Sequence, residues 1–253
     1  MRPVKSLIAS LVLAAGALLT SHADAAQTHV AVAANFTDAS KEIAAAFHKK
    51  TGHEAVLSFG SSGQFVTQIT QDAPFEIFLS ADDERPKKLI SQGFGVQGSE
   101  FTYAVGKLVL WSKQADTVKG EETLKDAKFS KLSICDPVAA PYGAAAVETM
   151  KSLKLYDALE PKFVQGANIT QAYQFVETGN AEVGFVALSQ LAGKSEGSRW
   201  MVPQDLYEPI IQGAILLKKG EKNPAATAFI DFLKGPEAKV IIEKYGYVTD
   251  THS

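Results

Sequence analysis

Cysteine is nearly absent from this chain. Cys135 is the single one among 253 residues, so no internal disulfide can form. Its setting, Ser133-Ile134-Cys135, reads as the end of a strand, where a buried structural thiol fits better than a nucleophile. Arginine is almost as scarce: Arg2, Arg85 and Arg199 are the only three, and the formal net charge is −3. A phosphate backbone demands clustered Lys and Arg, so nucleic acid is excluded as a partner. His29, His48, His53 and His252 are scattered and form no pair at metal-ligand spacing; solvated surface positions suit each, and no metal site is expected. Catalytic signatures are missing too. Gly60-Ser61-Ser62-Gly63 has the wrong spacing for a Gly-x-Ser-x-Gly elbow, and no Ser-x-x-Lys occurs. The acidic pairs Asp82-Asp83 and Glu121-Glu122 read as solvated faces or turns. Nothing in the chain asks for an enzyme.

Long apolar runs are confined to the first residues. Arg2 and Lys5 precede an apolar run over 7–19, and Ala23-Asp24-Ala25 then places small residues at the two positions a signal peptidase reads. The run is too short for a comfortable membrane span, so residues 1–25 read as a cleaved secretory signal, with cleavage after Ala25. That cut removes two cations and one anion, taking the formal charge from −3 to −4. About 230 residues remain, enough for one large or two small domains.

What the chain has in quantity is alternation of strand and helix patterns. Strand-like runs fall at 29–34, 54–59, 76–80, 101–105, 107–111, 132–135, 162–165, 183–186 and 210–217. Helical spacing begins with Phe36, Ala39, Ile43, Ala46 and Phe47, and closes with helices over 223–233 and 236–245. Gly235 stops the first of these two and Pro236 starts the second. Such alternation specifies an α/β fold with mostly parallel sheets.

Four strand-to-helix turns share one character: Ala34-Asn35-Phe36, Gly60-Ser61-Ser62, Pro141-Tyr142-Gly143 and Asn168-Ile169-Thr170. Each places a small or polar residue where a helix begins and its first N–H groups lack acceptors, so each can hold an anion without a cationic side chain. Asn35 and Asn168 suit N-caps, and Asp38 sits three residues after Asn35, close to a capping box. Plain capping and a shared ligand site are both open readings. Ligands in open α/β sheets collect at the strand carboxyl ends, which favours the second. Phe36 and Tyr142 could line such a pocket or fill a core.

The runs VAVAANFT over 30–37, FGSSG over 59–63, FEIFLSAD over 75–82, DPVAAPYG over 136–143 and FIDFLKGPEAKVIIEKY over 229–245 resemble the periplasmic molybdate-binding proteins of ABC-type transporters. The resemblance covers residues 28–248. It implies a two-lobed periplasmic-binding fold of type II, each lobe a mixed, mostly parallel sheet flanked by helices, with the anion in the cleft between them. Lobe I would be 27–105 with 208–253, and lobe II 106–207. It also implies that Asn35 supplies a side-chain and a backbone donor, that Ser62 supplies a hydroxyl and an N–H, and that Tyr142 and Ile169 offer backbone N–H groups. Some relatives add a tyrosine hydroxyl where this chain has Ala187, a loss that Asn35 would make up. Molybdate or tungstate would be the ligand, with no cofactor and molybdenum held only as the oxyanion. A membrane permease and its ATPase subunit would be the partners of a periplasmic monomer.

An ionised tetrahedral oxyanion has four acceptors and no proton to donate, which suits an all-donor site; phosphate would want an acceptor for its proton. Sulfate or a small organic anion on the same fold, and a secreted hydrolase using Ser61 or Ser62, stand as the alternatives.

Overall fold

The computed structural model describes residues 25–249; the expected signal segment, apart from Ala25, lies outside them. β1 (Gln27–Ala33), α1 (Thr37–Thr51), β2 (Glu54–Gly60), α2 (Ser62–Thr70), β3 (Ile77–Leu79), α3 (Glu84–Ser91) and β4 (Phe101–Gly106) come first. They are followed by β5 (Leu108–Ser112), α4 (Glu122–Asp126), β6 (Leu132–Cys135), α5 (Pro141–Ser152), α6 (Tyr156–Leu159), β7 (Phe163–Gly166), α7 (Ile169–Glu177), β8 (Val183–Ala187) and β9 (Ser198–Met201). β10 (Ile210–Leu216), α8 (Pro224–Leu233) and α9 (Pro236–Lys244) complete the chain.

The strands form two five-stranded sheets, in the orders β2-β1-β3-β10-β4 and β7-β6-β8-β5-β9. Each is mixed in the same way. Three neighbouring strands run parallel and the remaining two pairings are antiparallel. The parallel strands are covered on both faces: Val30, Ala31 and Val32 of β1 are all fully buried, the continuous apolar run expected of a strand with helices above and below. On one face of the first sheet Val30 and Val32 meet Phe47, Phe229 and Ile242; on the other, Ala31 and Phe78 meet Phe65, Ile69 and Leu89. Phe47 stands edge-on to Phe229 with ring centroids 5.2 Å apart, locking α1 to α8.

The second sheet packs Leu108, Leu132 and Ile134 against Ala145, Ala146 and Met150 of α5 on one face. On the other, Val109 and Trp111 meet Val176 of α7, with Trp111 stacked on Tyr173 at 5.0 Å. Cys135 is buried in the first of these layers, and desolvation pushes its thiol up to about 12, so it stays protonated and inert.

β4 and β5 follow one another directly, yet they lie in different sheets: β4 pairs with β10, and β5 with β8 and β9. The chain therefore crosses between sheets at Lys107 and returns between β9 and β10. Val248 bridges back to Val105, adding a third strand of backbone beside these crossings. β9 has no counterpart in the sequence-based expectations, because Ser-Arg-Trp-Met is a short edge segment with neither alternation nor a continuous apolar run. Among the described residues no helix is long and apolar enough to cross a membrane.

Candidate functional site

The carboxyl ends of β1 and β2 in one sheet face those of β6 and β7 in the other. A small cavity sits between them, lined by residues 33–35, 60–62 and 81 on one side and by 140–142, 168 and 169 on the other. Asn35, Ser62, Tyr142 and Ile169 are all brought to it. Its volume is about 10 Å³, on the scale of one small species and far below the hundreds of Å³ of pockets for drug-sized ligands. None of its lining residues carries a charged side chain.

Ser61 is the N-cap of α2. Its Oγ accepts from the Gln64 N–H at 3.4 Å while Gln64 Oε1 accepts from the Ser61 N–H at 3.3 Å, a complete capping box. Gly63 N–H donates to the Ala139 carbonyl at 2.9 Å and Phe65 N–H to the Ser61 carbonyl at 3.2 Å. Ser62 is the first-turn residue whose N–H helix geometry leaves without an acceptor. Its Oγ accepts from the Ala81 N–H at 3.0 Å, so its own proton is available to donate into the cavity.

The second lobe repeats the device with backbone alone. At the start of α5, Gly143 and Ala144 N–H groups close on the Ala140 carbonyl, at 2.9 and 3.2 Å, and Pro141 has no N–H, which leaves that of Tyr142. Asn168 caps α7 by accepting from Gln171 N–H at 3.0 Å, leaving the N–H of Ile169 at the first helical position.

Asn35 departs from expectation. It is not the N-cap of α1 but the centre of a 3-10 turn over Ala34–Phe36 that precedes the helix. Both protons of its side-chain amide are committed, to Gln212 Oε1 at 2.8 Å and to Tyr247 OH at 3.0 Å. The expectation of a side-chain donor from Asn35, replacing a hydroxyl at Ala187, therefore gives way. Its backbone N–H is what remains for a ligand, and Ala187 is not among the residues lining the cavity.

The amide of Asn35 belongs to a buried polar cluster behind the cavity. Gln212 Oε1 lies 2.9 Å from Tyr103 OH, and Gln212 Nε2 donates to Tyr142 OH at 3.2 Å, across the two lobes. Tyr247 OH and Ser189 Oγ both donate to the Asn35 carbonyl, at 2.7 and 2.8 Å. Burial raises the hydroxyl pKa values of Tyr103, Tyr142 and Tyr247 above the usual tyrosine range, so all three stay neutral. Sequence reading missed this cluster. Its one signal was Gln212, a polar side chain inside the otherwise apolar run of β10. Phe36 is core, edge-on to Tyr103 at 4.8 Å and to Tyr247 at 5.3 Å.

The model for the family described as bacterial extracellular solute-binding protein matches residues 28–248. The molybdate-binding protein ModA of Rhodobacter capsulatus is 58% identical over 228 residues, covering 90% of each chain. Its namesake from Azotobacter vinelandii is 55% identical over 245 residues, covering 95% of this chain and 97% of that protein. A solved structure of an Azotobacter vinelandii periplasmic molybdate-binding protein superposes with a TM-score of 0.85 at 40% identity, covering 88% of this chain and all of that one.

Proposed function

This chain belongs to the bacterial extracellular solute-binding protein family, and on that premise we propose that it captures molybdate, and tungstate as well, in the periplasm for an ABC-type transporter. One observation carries the reading: four helix-opening turns from two lobes line a single small cavity walled without a charged side chain.

The donors are Asn35, Ser62, Tyr142 and Ile169 through their N–H groups, with the Ser62 hydroxyl as the one side-chain contribution. α1, α2, α5 and α7 all begin at or just past the cavity, so their dipoles add partial positive charge on every side. A dianion is thereby compensated without a buried Lys or Arg, which would be costly in the empty cleft. The lining holds no carboxylate to accept a proton, which favours a fully ionised oxyanion over phosphate. It also holds no His, Lys, Asp or Glu, and Ser61 Oγ serves its own helix cap, so neither serine has a base to activate it. The names of the relatives in Rhodobacter and Azotobacter support molybdate as the anion.

We place lobe I at residues 27–106 with 208–249 and lobe II at 107–207, one residue past the expected boundary because Gly106 pairs with Ile210 in the first sheet; they close about the crossings beside Lys107 and before β10 when an anion bridges both walls. Removal of residues 1–25 delivers a periplasmic monomer. The loaded form docks on a membrane permease driven by its ATPase subunit.

Calorimetric titration of the purified protein with molybdate, tungstate and sulfate tests the reading. Comparable tight binding of the first two, with far weaker sulfate, is expected. Tighter sulfate binding would reassign the anion, and no heat with any of the three would remove the site.

A further inference from the structure

One residue past Ser62, the N–H of Gly63 turns away from the cavity and donates to the Ala139 carbonyl of the opposite lobe at 2.9 Å. The preceding carbonyl, that of Val138, accepts from Arg85 Nη2 at 2.7 Å. Arg85 is held in turn by Asp82, which pairs with its guanidinium and accepts its backbone N–H at 2.9 Å. Two successive carbonyls of lobe II are thus gripped from two elements of lobe I, α2 and α3, with no ligand involved. The approach at Gly63 is at the limit of contact. A Cβ placed there would stand 3.0 Å from Ala139 Cα and 3.2 Å from its carbonyl oxygen, backbone atoms that cannot rotate aside.

We propose that this clasp is the stop that sets the closed spacing of the lobes: the Gly63 contact determines which tetrahedral oxyanion the cavity prefers, and Arg85 is the tether that holds the lobes against it. The inference rests on the reading of the cavity as an oxyanion site. Sulfate, chromate and molybdate present the same charge and the same four acceptors, so a set of N–H and O–H donors cannot rank them by hydrogen-bond count. They differ in size, sulfate being the smallest and molybdate the largest. Were the lobes free to draw together, a smaller anion could recover its hydrogen bonds by tighter closure. A stop that meets on backbone prevents this, and the bonds to a small anion stay long and weak. Gly63 adjoins Ser62 and Ala139 adjoins Ala140, both in the cavity wall, so a shift of the clasp passes directly into cavity width.

Affinities for molybdate and chromate, measured by calorimetry on the wild type, Gly63→Ala and Arg85→Met, test this. Gly63→Ala holds the lobes apart: both anions weaken, chromate more, and the preference for molybdate rises roughly tenfold. Arg85→Met and Asp82→Asn, which release the same guanidinium grip, remove a tether but leave the backbone contact at Gly63 in place, so both anions weaken alike and the preference is unchanged. Should Gly63→Ala not fold, the wild type serves: with sulfate added to the series, affinity rises with anion size. A raised preference in Gly63→Ala beside an unchanged one in Arg85→Met supports the stop. An unchanged or lowered preference in Gly63→Ala, or a wild type that binds sulfate as tightly as molybdate, overturns it. A wild type that binds neither anion defeats the oxyanion reading instead, a separate result.

Discussion

The two walls of the cavity use one principle in two forms. The lobe I wall depends on side chains: the Ser62 hydroxyl faces the cavity while accepting from Ala81, Ser61 caps α2, and the Asn35 amide ties its turn to Gln212 and Tyr247. The lobe II wall depends on backbone alone, with Tyr142 and Ile169 presenting N–H groups while their side chains are buried elsewhere. The difference teaches where residue identity matters. On the proposed reading, a substitution at Ser62 removes a donor; at Asn35, as in lobe II, it removes one only by moving the backbone.

The sharpest way to break that contrast is at Gly143, which follows Tyr142 of the lobe II wall. A Cβ there would lie 2.3 Å from the Cys135 carbonyl oxygen and 2.9 Å from Asp136 backbone atoms. Gly143→Ala is expected to cost about 3 kcal/mol or more in stability, read as a fall in denaturation midpoint, and to abolish tight anion binding with it. Ser62→Ala comes next. It removes a hydroxyl hydrogen bond to a charged ligand and leaves the Ala81 N–H without its acceptor, so calorimetry should show affinity falling by about 1.5–3 kcal/mol. Tyr142→Phe keeps the backbone donor but leaves Gln212 Nε2 unpaired, a loss of about 1–3 kcal/mol in thermal or chemical stability with a smaller change in affinity. Ile169→Val should lower stability by about 0.5–1.5 kcal/mol and leave anion affinity unchanged. Loss of affinity there would show that the side chain, not the backbone, makes the contact.

The smallest expected effect is that of pH. No carboxylate, imidazole or amine lines the cavity, and burial holds Tyr103, Tyr142 and Tyr247 protonated beyond their ordinary range. Affinity should be flat from about pH 6 to about pH 9. A tyrosine whose folded pKa is raised stabilises the fold fully below its unfolded value and loses that contribution as pH climbs through the folded one. Stability should therefore decline on the alkaline side, above about pH 10, and a midpoint titration would show it.

Much of the fold was legible because period and punctuation agree. The last two helices were expected over 223–233 and 236–245 and are found over 224–233 and 236–244, divided at Gly235-Pro236 as read. Asn168 caps its helix, since the donor it serves is three residues away in the same chain. Asn35 carries the same side chain in a similar turn, and local rules assigned it the same task. Its amide instead finds Gln212 and Tyr247, 177 and 212 residues distant in sequence, and no local pattern encodes that choice. β9 and the parting of β4 from β5 failed to show for a related reason: a strand's partner depends on what lies beside it.

By itself, then, the sequence determined where strands end and helices begin, and hence where unpaired N–H groups occur, because capping, turns and periodicity act over a few residues. Only the tertiary structure decided that four such places share one cavity, which of their side chains face it, and how close the lobes come. Those are settled by contacts between segments far apart in the chain, such as Gly63 against Ala139, and packing of that kind leaves no local trace.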